Sequence, residues 1–169
     1  MKSGLNEREP LGWSYTFMKE GIACFLLLLY KGNTVSVGMK DMMRRMKYAC
    51  GFTKEEFYYG TNIVSEDNED DIFWKLLCKW KEDVTILESE RQQWTKRIED
   101  LISLRVAGIM EANRRKYYDE CASFIAAFGE MQESLGEPGA KMRILRRYKE
   151  KYPRRSAFIR ELRNYGFRD

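Results

Sequence analysis

The sequence predicts an all-α fold: a single-domain bundle of six or seven helices, with one long central helix and a basic helical hairpin at the C-terminus. Three observations carry that expectation. No glycine or proline stands between Gly60 and Gly108, although these two residues punctuate most chains. Inside that span apolar side chains return at alternating gaps of four and three, at Phe73, Leu77, Trp80, Val84, Leu87, Trp94, Ile98 and Leu101, and only Arg91 interrupts the row. Residues so spaced stack along one side of an α-helix, which gives it a single apolar face. The chain of 169 residues also holds only three prolines and twelve glycines amid abundant Leu, Glu, Lys, Arg and Met, a composition that favours helix over sheet. Its length suits one domain with a real hydrophobic core, and a 44% hydrophobic content excludes general disorder.

Taken in order, residues 1–12 are polar, carry Gly4, Pro10 and Gly12, and read as a flexible arm. The helical core spans 13–139, and the hairpin, 140–169, packs on it within the same domain. A first helix fits Trp13 to Tyr30. Its apolar run from Ile22 to Tyr30 is nine residues long, too short to cross a bilayer, which takes about twenty, so a central core helix is expected and no membrane partner. A turn at Gly32 and Asn33 leads to a second helix, Val37 to Cys50, with Met39, Met42, Met43 and Met46 on one side. Core packing is the expected use of these methionines, with a pliable contact surface as the alternative. Gly51 ends that helix. Thr53 with Glu56 then forms a capping box, and Phe52 with Phe57 a hydrophobic staple, opening a short helix from Lys54.

Five carboxylates fall between Ser65 and Asp71. They lack the ligand order and central glycine of a calcium loop, so they read as the solvated start of the next helix. That helix would run from Asp70 to Arg105. Written as heptads, its row puts tryptophans at d (Trp80, Trp94) and arginines at a (Arg91, Arg105), which fits a coiled coil badly and a scaffold helix inside a bundle well. Ser89 followed by Gln92 offers a second capping box where Arg91 breaks the row, so a kink or break is expected near Glu88–Arg91. A further helix fits Asn113 to Leu135, with Tyr117, Cys121, Phe124, Ile125, Phe128, Met131 and Leu135 on its apolar side. Gly136-Glu-Pro-Gly139 is the clearest loop. Helices from Ala140 to Tyr152 and from Ala157 to Tyr165, joined by a Pro153-Arg-Arg-Ser corner, make the hairpin.

Catalytic chemistry is not visible. There is no histidine, which removes the commonest general base and metal ligand and the Ser-His and Cys-His nucleophile systems. Phosphate-binding glycine loops and zinc-hydrolase motifs are also missing. Cys24, Cys50, Cys78 and Cys121 are widely separated and form no Cys-x-x-Cys pair, so buried thiols are expected rather than a zinc site. The reading is therefore a non-enzyme with no catalytic residue, metal or cofactor, in a reducing cytoplasmic setting.

Charge is where the sequence points to a role. Residues 140–169 hold 11 Lys and Arg against three Asp and Glu, a net of +8, while the rest of the chain carries 19 against 23, a net of −4. Lys141, Arg143, Arg146, Arg147, Lys149 and Lys151 on the first hairpin helix, Arg154 and Arg155 at the corner, and Arg160 and Arg163 on the second form a basic cluster on a helix-turn-helix-like unit. Such a unit can set the start of its second helix against base edges and the remainder against phosphate. Tyr148, Tyr152 and Tyr165 would add stacking surface for single strands. The expected function is thus a small regulatory or accessory protein that binds DNA or RNA through Arg143, Arg146, Arg147, Lys151, Arg154, Arg155, Arg160 and Arg163. One alternative is that the hairpin merely packs on the acidic remainder. Another is a protein-interaction module or homodimer that uses a Met- and Trp-rich helical surface.

Overall fold

The apolar runs become helices wherever the computed structural model describes the chain, at residues 18–32, 36–49 and 78–168. The helices are α1 (Met18–Leu29), α2 (Val37–Ala49), α3 (Glu88–Glu111), a 3-10 turn (Arg115–Tyr117), α4 (Tyr118–Ser134), α5 (Ala140–Lys151) and α6 (Ser156–Arg163). Residues 78–82 are helical as well, and no strand occurs among the described residues. The fold is all-α. The N-terminal arm, the short helix from Lys54, the acidic run at 65–71, Cys50 and the first members of the apolar row, Phe73 and Leu77, lie outside the described residues.

The long helix is interrupted. Residues 83–87 are not helical, so the break falls just before the expected Glu88–Arg91. α3 starts at Glu88 because Glu90, in its first turn, reaches back to accept the Leu87 backbone N–H at 3.0 Å. This is half of a capping box, and it opens two residues ahead of the start that Ser89 suggests. Glu88 and Glu90 also place negative charge where the helix dipole favours it. The interruption divides the apolar row between two helical segments. Trp80, Val84, Leu87 and Trp94 are exposed, and only from Ile98 onward, through Leu101, Ile102, Val106, Ile109 and Met110, does α3 face the core. Trp94 still stacks on Phe25 of α1 with ring centroids 4.3 Å apart.

The centre of the bundle therefore belongs to α4, not to the Phe73–Leu101 row. Thirteen of its 17 residues are buried, Tyr118 and all of Glu120–Met131, and α1, α2, α3, α5 and α6 all pack on it. A helix surrounded on every side needs apolar or small residues all round. The stretch Cys-Ala-Ser-Phe-Ile-Ala-Ala-Phe-Gly supplies them. Small residues set how closely the neighbours approach. A Cβ placed on Gly129 would come within 2.5 Å of the Lys141 Cα, so α5 crosses α4 where there is no room for a side chain. Gly129→Ala is expected to lower stability by about 1–3 kcal/mol, the usual range for overpacking a tight contact, and a urea unfolding curve would measure it.

Three of the four α2 methionines resolve as core: Met39, Met42 and Met43 are fully or almost fully buried, and the Met46 side chain lies outside the described residues. Cys121 is buried too, and desolvation pushes its thiol up to about 12, which keeps it protonated and unreactive at neutral pH. Beyond α4 the chain turns at Gly139, whose φ of 71° is easy only without a Cβ. α5 and α6 then fold back, with Leu145, Tyr148, Phe158, Ile159 and Leu162 in the core. Among the described residues no helix is long and apolar enough to cross a membrane.

Candidate nucleic-acid interface

The basic cluster divides into side chains that hold the fold together and side chains that face water. On α5 the exposed positions are Arg143, Arg146, Arg147, Glu150 and Lys151, whose spacings of three and four put them on one outward face. The opposite face, with Leu145 and Tyr148, is in the core. On α6 the corresponding outward positions are Arg160 and Arg163, and Arg154 projects from the corner between the helices. Among the described residues Arg146 and Arg154 form no ion pair. Arg160 meets its neighbour Glu161 at 3.5 Å.

Arg143, Arg147 and Arg155 are among the engaged members. Arg155 donates from Nη2 to the Met110 carbonyl and from Nη1 to the Asn113 side-chain oxygen, both at 2.7 Å. It thereby ties the hairpin corner to the end of α3, where Asn113 adopts a positive φ of 50°. This arginine is a helix-end brace, so the residue leading into the second hairpin helix does not offer a free base-reading group. Arg147 meets Glu99 of α3 at 2.6 Å, and Arg143 donates to the Pro138 carbonyl at 2.6 Å with Glu137 at 3.5 Å. Both ion pairs are solvent-exposed, so each holds its arginine by only about 0–1 kcal/mol. Lys149 and Lys151 in the last turn of α5, and Arg160 and Arg163 in the last turn of α6, also complement the helix dipoles.

The expected aromatic platform is not on the surface. Tyr148 and Tyr165 are buried. Tyr148 shares a hydrogen bond of 2.9 Å with Ser103, Tyr165 donates to Asp41, and burial pushes both phenols above their ordinary pKa. Tyr152 is half-buried, edge-on to Phe158. The aromatic face required for stacking is spent on the core: Tyr148 lies on α5 beside the buried Leu145, and Tyr152 and Tyr165, just past the ends of α5 and α6, turn back onto Phe158 and Asp41.

A cleft of about 270 Å³ opens where α3, α4 and α5 meet. Arg143, Arg147, Glu99, Glu137 and Gln132 line it together with the half-buried Ile144 and the buried Phe128 and Ala140. Two of the candidate basic residues thus sit at the mouth of a depression that mixes cationic, carboxylate, amide and apolar groups. Nothing in the residue spacing points to it, since Glu99 and Gln132 are separated from the hairpin by loops and helices.

Two carboxylates of α4 are structural, and spacing alone assigns neither a partner. Glu120 accepts Nε and Nη2 of the buried Arg105 at 3.2 and 2.8 Å, and the Arg105 guanidinium lies 5.0 Å from the Tyr117 ring. Glu130 serves the start of α2, more than ninety residues earlier. Its Oε2 accepts the Ser36 hydroxyl at 2.5 Å and the Met39 N–H at 2.9 Å, and its Oε1 accepts the Gly38 N–H at 3.1 Å and the Lys141 ammonium at 2.7 Å. Such amides at a helix start ordinarily find a cap from the residue just before the helix. Here Ser36 donates instead, and a carboxylate from another helix takes the amides. Asp41 and Arg45 of α2, Asp119 of α4 and Tyr165 form a further link, with Arg45 Nη1 at 2.9 Å from Asp119. Lys141 is thereby removed from the basic face, being drawn inward to Glu130. The available signal for Glu120 and Glu130 is that each is a charge set at the edge of an otherwise apolar run. Set against known protein families, curated proteins and solved structures, the chain matches none.

Proposed function

We propose that this is a small, non-catalytic, cytoplasmic regulatory or accessory protein that binds nucleic acid through the outer face of its C-terminal hairpin. One observation carries the reading: α5 and α6 bury their apolar sides, so the surface they leave to solvent is the one bearing Arg143, Arg146, Arg147, Lys151, Arg154, Arg160 and Arg163. Guanidinium groups in that arrangement suit phosphate contact, which supplies affinity without reading sequence. The engagement of Arg155 favours this mode over base reading by the start of α6. Binding should fall steeply with salt. The triple substitution Arg146→Ala, Arg154→Ala and Arg160→Ala should flatten the log–log salt dependence by about one for each phosphate no longer neutralised. All three side chains are exposed, so stability should stay within about 0.5 kcal/mol of wild type. Fluorescence anisotropy across a salt series, with a urea melt of the variant, checks both expectations. Absence of binding at low salt, or an unchanged slope in the triple variant, would overturn the proposal.

The exposure of Trp80, Val84, Leu87, Trp94 and Leu104 favours a second reading, a protein-interaction module or homodimer. The buried methionines of α2 lend it nothing. It gains ground if the salt series shows no nucleic-acid binding.

A further inference from the structure

We propose that the cleft between α3, α4 and α5 takes an unpaired base of a single-stranded nucleic acid, with flanking phosphates held by Arg143 and Arg147. This rests on the nucleic-acid reading above and adds to it which form of nucleic acid is preferred and where it enters. The cleft volume, about 270 Å³, lies just below the range of roughly 300–1,000 Å³ found for pockets that enclose drug-sized ligands. It suits one ring system better than a whole nucleotide. Duplex bases, stacked and paired, cannot enter it without being flipped out, whereas a single strand offers them freely.

The lining matches a base in kind. The half-buried Ile144 gives apolar surface for the ring, and Gln132 offers both a donor and an acceptor to its edge. Glu99 and Glu137 offer acceptors only. The ion pair of Glu99 with Arg147 leaves the Arg147 side chain 54% exposed and that of Glu99 34% exposed, so the pair costs little to rearrange. A phosphate arriving at the mouth can recruit Arg147 and Arg143 through N–H groups not committed to carboxylates, since each guanidinium carries five. Glu99 then faces the base with acceptors that suit exocyclic amino groups, as carboxylates do for the cytosine amino group. The preferred bases are therefore those with an amino group. Uracil and thymine offer a carboxylate only one ring N–H, flanked on both sides by carbonyl oxygens that repel it, and are disfavoured. The buried tyrosines of the hairpin leave this cleft as the place on the basic face where a base finds apolar contact.

The test is anisotropy with labelled twelve-residue strands of oligo(dA), oligo(dC), oligo(dT), their RNA counterparts, and a twelve-base-pair duplex, all at one low salt concentration. The expected result is binding of the amino-bearing single strands about tenfold tighter than oligo(dT) or duplex, equivalent to about 1.4 kcal/mol. Ile144→Trp, which fills the cleft without changing charge, should bring the single strands down to duplex affinity. Glu99→Gln keeps the shape, and should narrow the gap between oligo(dC) and oligo(dT) even if the tryptophan variant fails to fold. Equal affinity for all strands and duplex, or tight single-strand binding that survives both substitutions, would overturn the cleft proposal while leaving nucleic-acid binding in place. Absence of any binding in the wild type would instead overturn the broader reading beneath it.

Discussion

Glu130→Ala is expected to destabilise the protein by about 3–5 kcal/mol, the range for breaking a buried ion pair and leaving its partners unsatisfied. For a chain of this size that is roughly 6–20 °C in Tm, taking about 2–4 °C per kcal/mol. The Glu130 side chain is only 4% exposed and meets four donors: the Ser36 hydroxyl, the Gly38 and Met39 amides and the Lys141 ammonium. Alanine leaves two backbone amides at the first turn of α2 without an acceptor. It also leaves the Lys141 ammonium, 19% exposed, beside a vacated carboxylate position. Glu130→Gln keeps the volume and one acceptor oxygen but loses the charge, so a smaller loss is expected, on the order of 1–3 kcal/mol. Urea denaturation followed by circular dichroism ranks the three proteins. Should Glu130→Ala unfold at the wild-type midpoint, the carboxylate is not the cap of α2.

The second large effect is at Arg105. Its guanidinium is 2% exposed and Glu120 is 11% exposed, so Arg105→Ala strands a nearly buried carboxylate and is expected to cost about 3–5 kcal/mol. The pair itself is a different matter. Taking two charges out of water is expensive, and apolar replacements of similar volume often do as well. Arg105→Met combined with Glu120→Leu is accordingly expected to recover most of the loss and to lie within about 1–2 kcal/mol of wild type. Thermal melts of the single variants and the double variant give the coupling. If the double variant is no more stable than Arg105→Ala, the penalty comes from lost packing around the arginine stem and not from an unpaired charge.

Arg105 also marks how far the sequence can be read. Its position in the apolar row is a fault in a coiled coil, and that correctly argues against one. The acceptor is unreadable because Glu120 lies beyond a turn and a 3-10 segment, on a helix to which the three-four spacing assigns an ordinary one-sided apolar face. The helices of the C-terminal half, and the loop at Gly136–Gly139, follow directly from apolar spacing and turn residues, which are local. The apolar row misleads because spacing records the side of a helix and not what covers it: Trp94 and Ile98, four apart on one unbroken helix, are exposed and buried respectively, and Trp80 and Leu87 face water as well. Identifying α4 as the centre needs attention to small residues as well as large ones. Ala122, Ala126, Ala127 and Gly129 are all buried among the neighbouring helices. The basic hairpin is legible as charge, and the split between braces such as Arg155 and outward groups such as Arg146 depends on tertiary partners that no spacing encodes.

The reach of Glu130 to Ser36 bears on how the chain must be made. α2 leaves the ribosome long before residue 130 exists, and its first turn then has no carboxylate to accept the amides of Gly38 and Met39. Gly38 near its start adds no helical propensity of its own. The helix can become lasting structure only after α4 has been synthesised and has docked, and Lys141 seals the same carboxylate a few residues later. α2 is thus assembled late although it is translated early. A nascent or truncated chain that stops short of residue 130 would lack the group that anchors it.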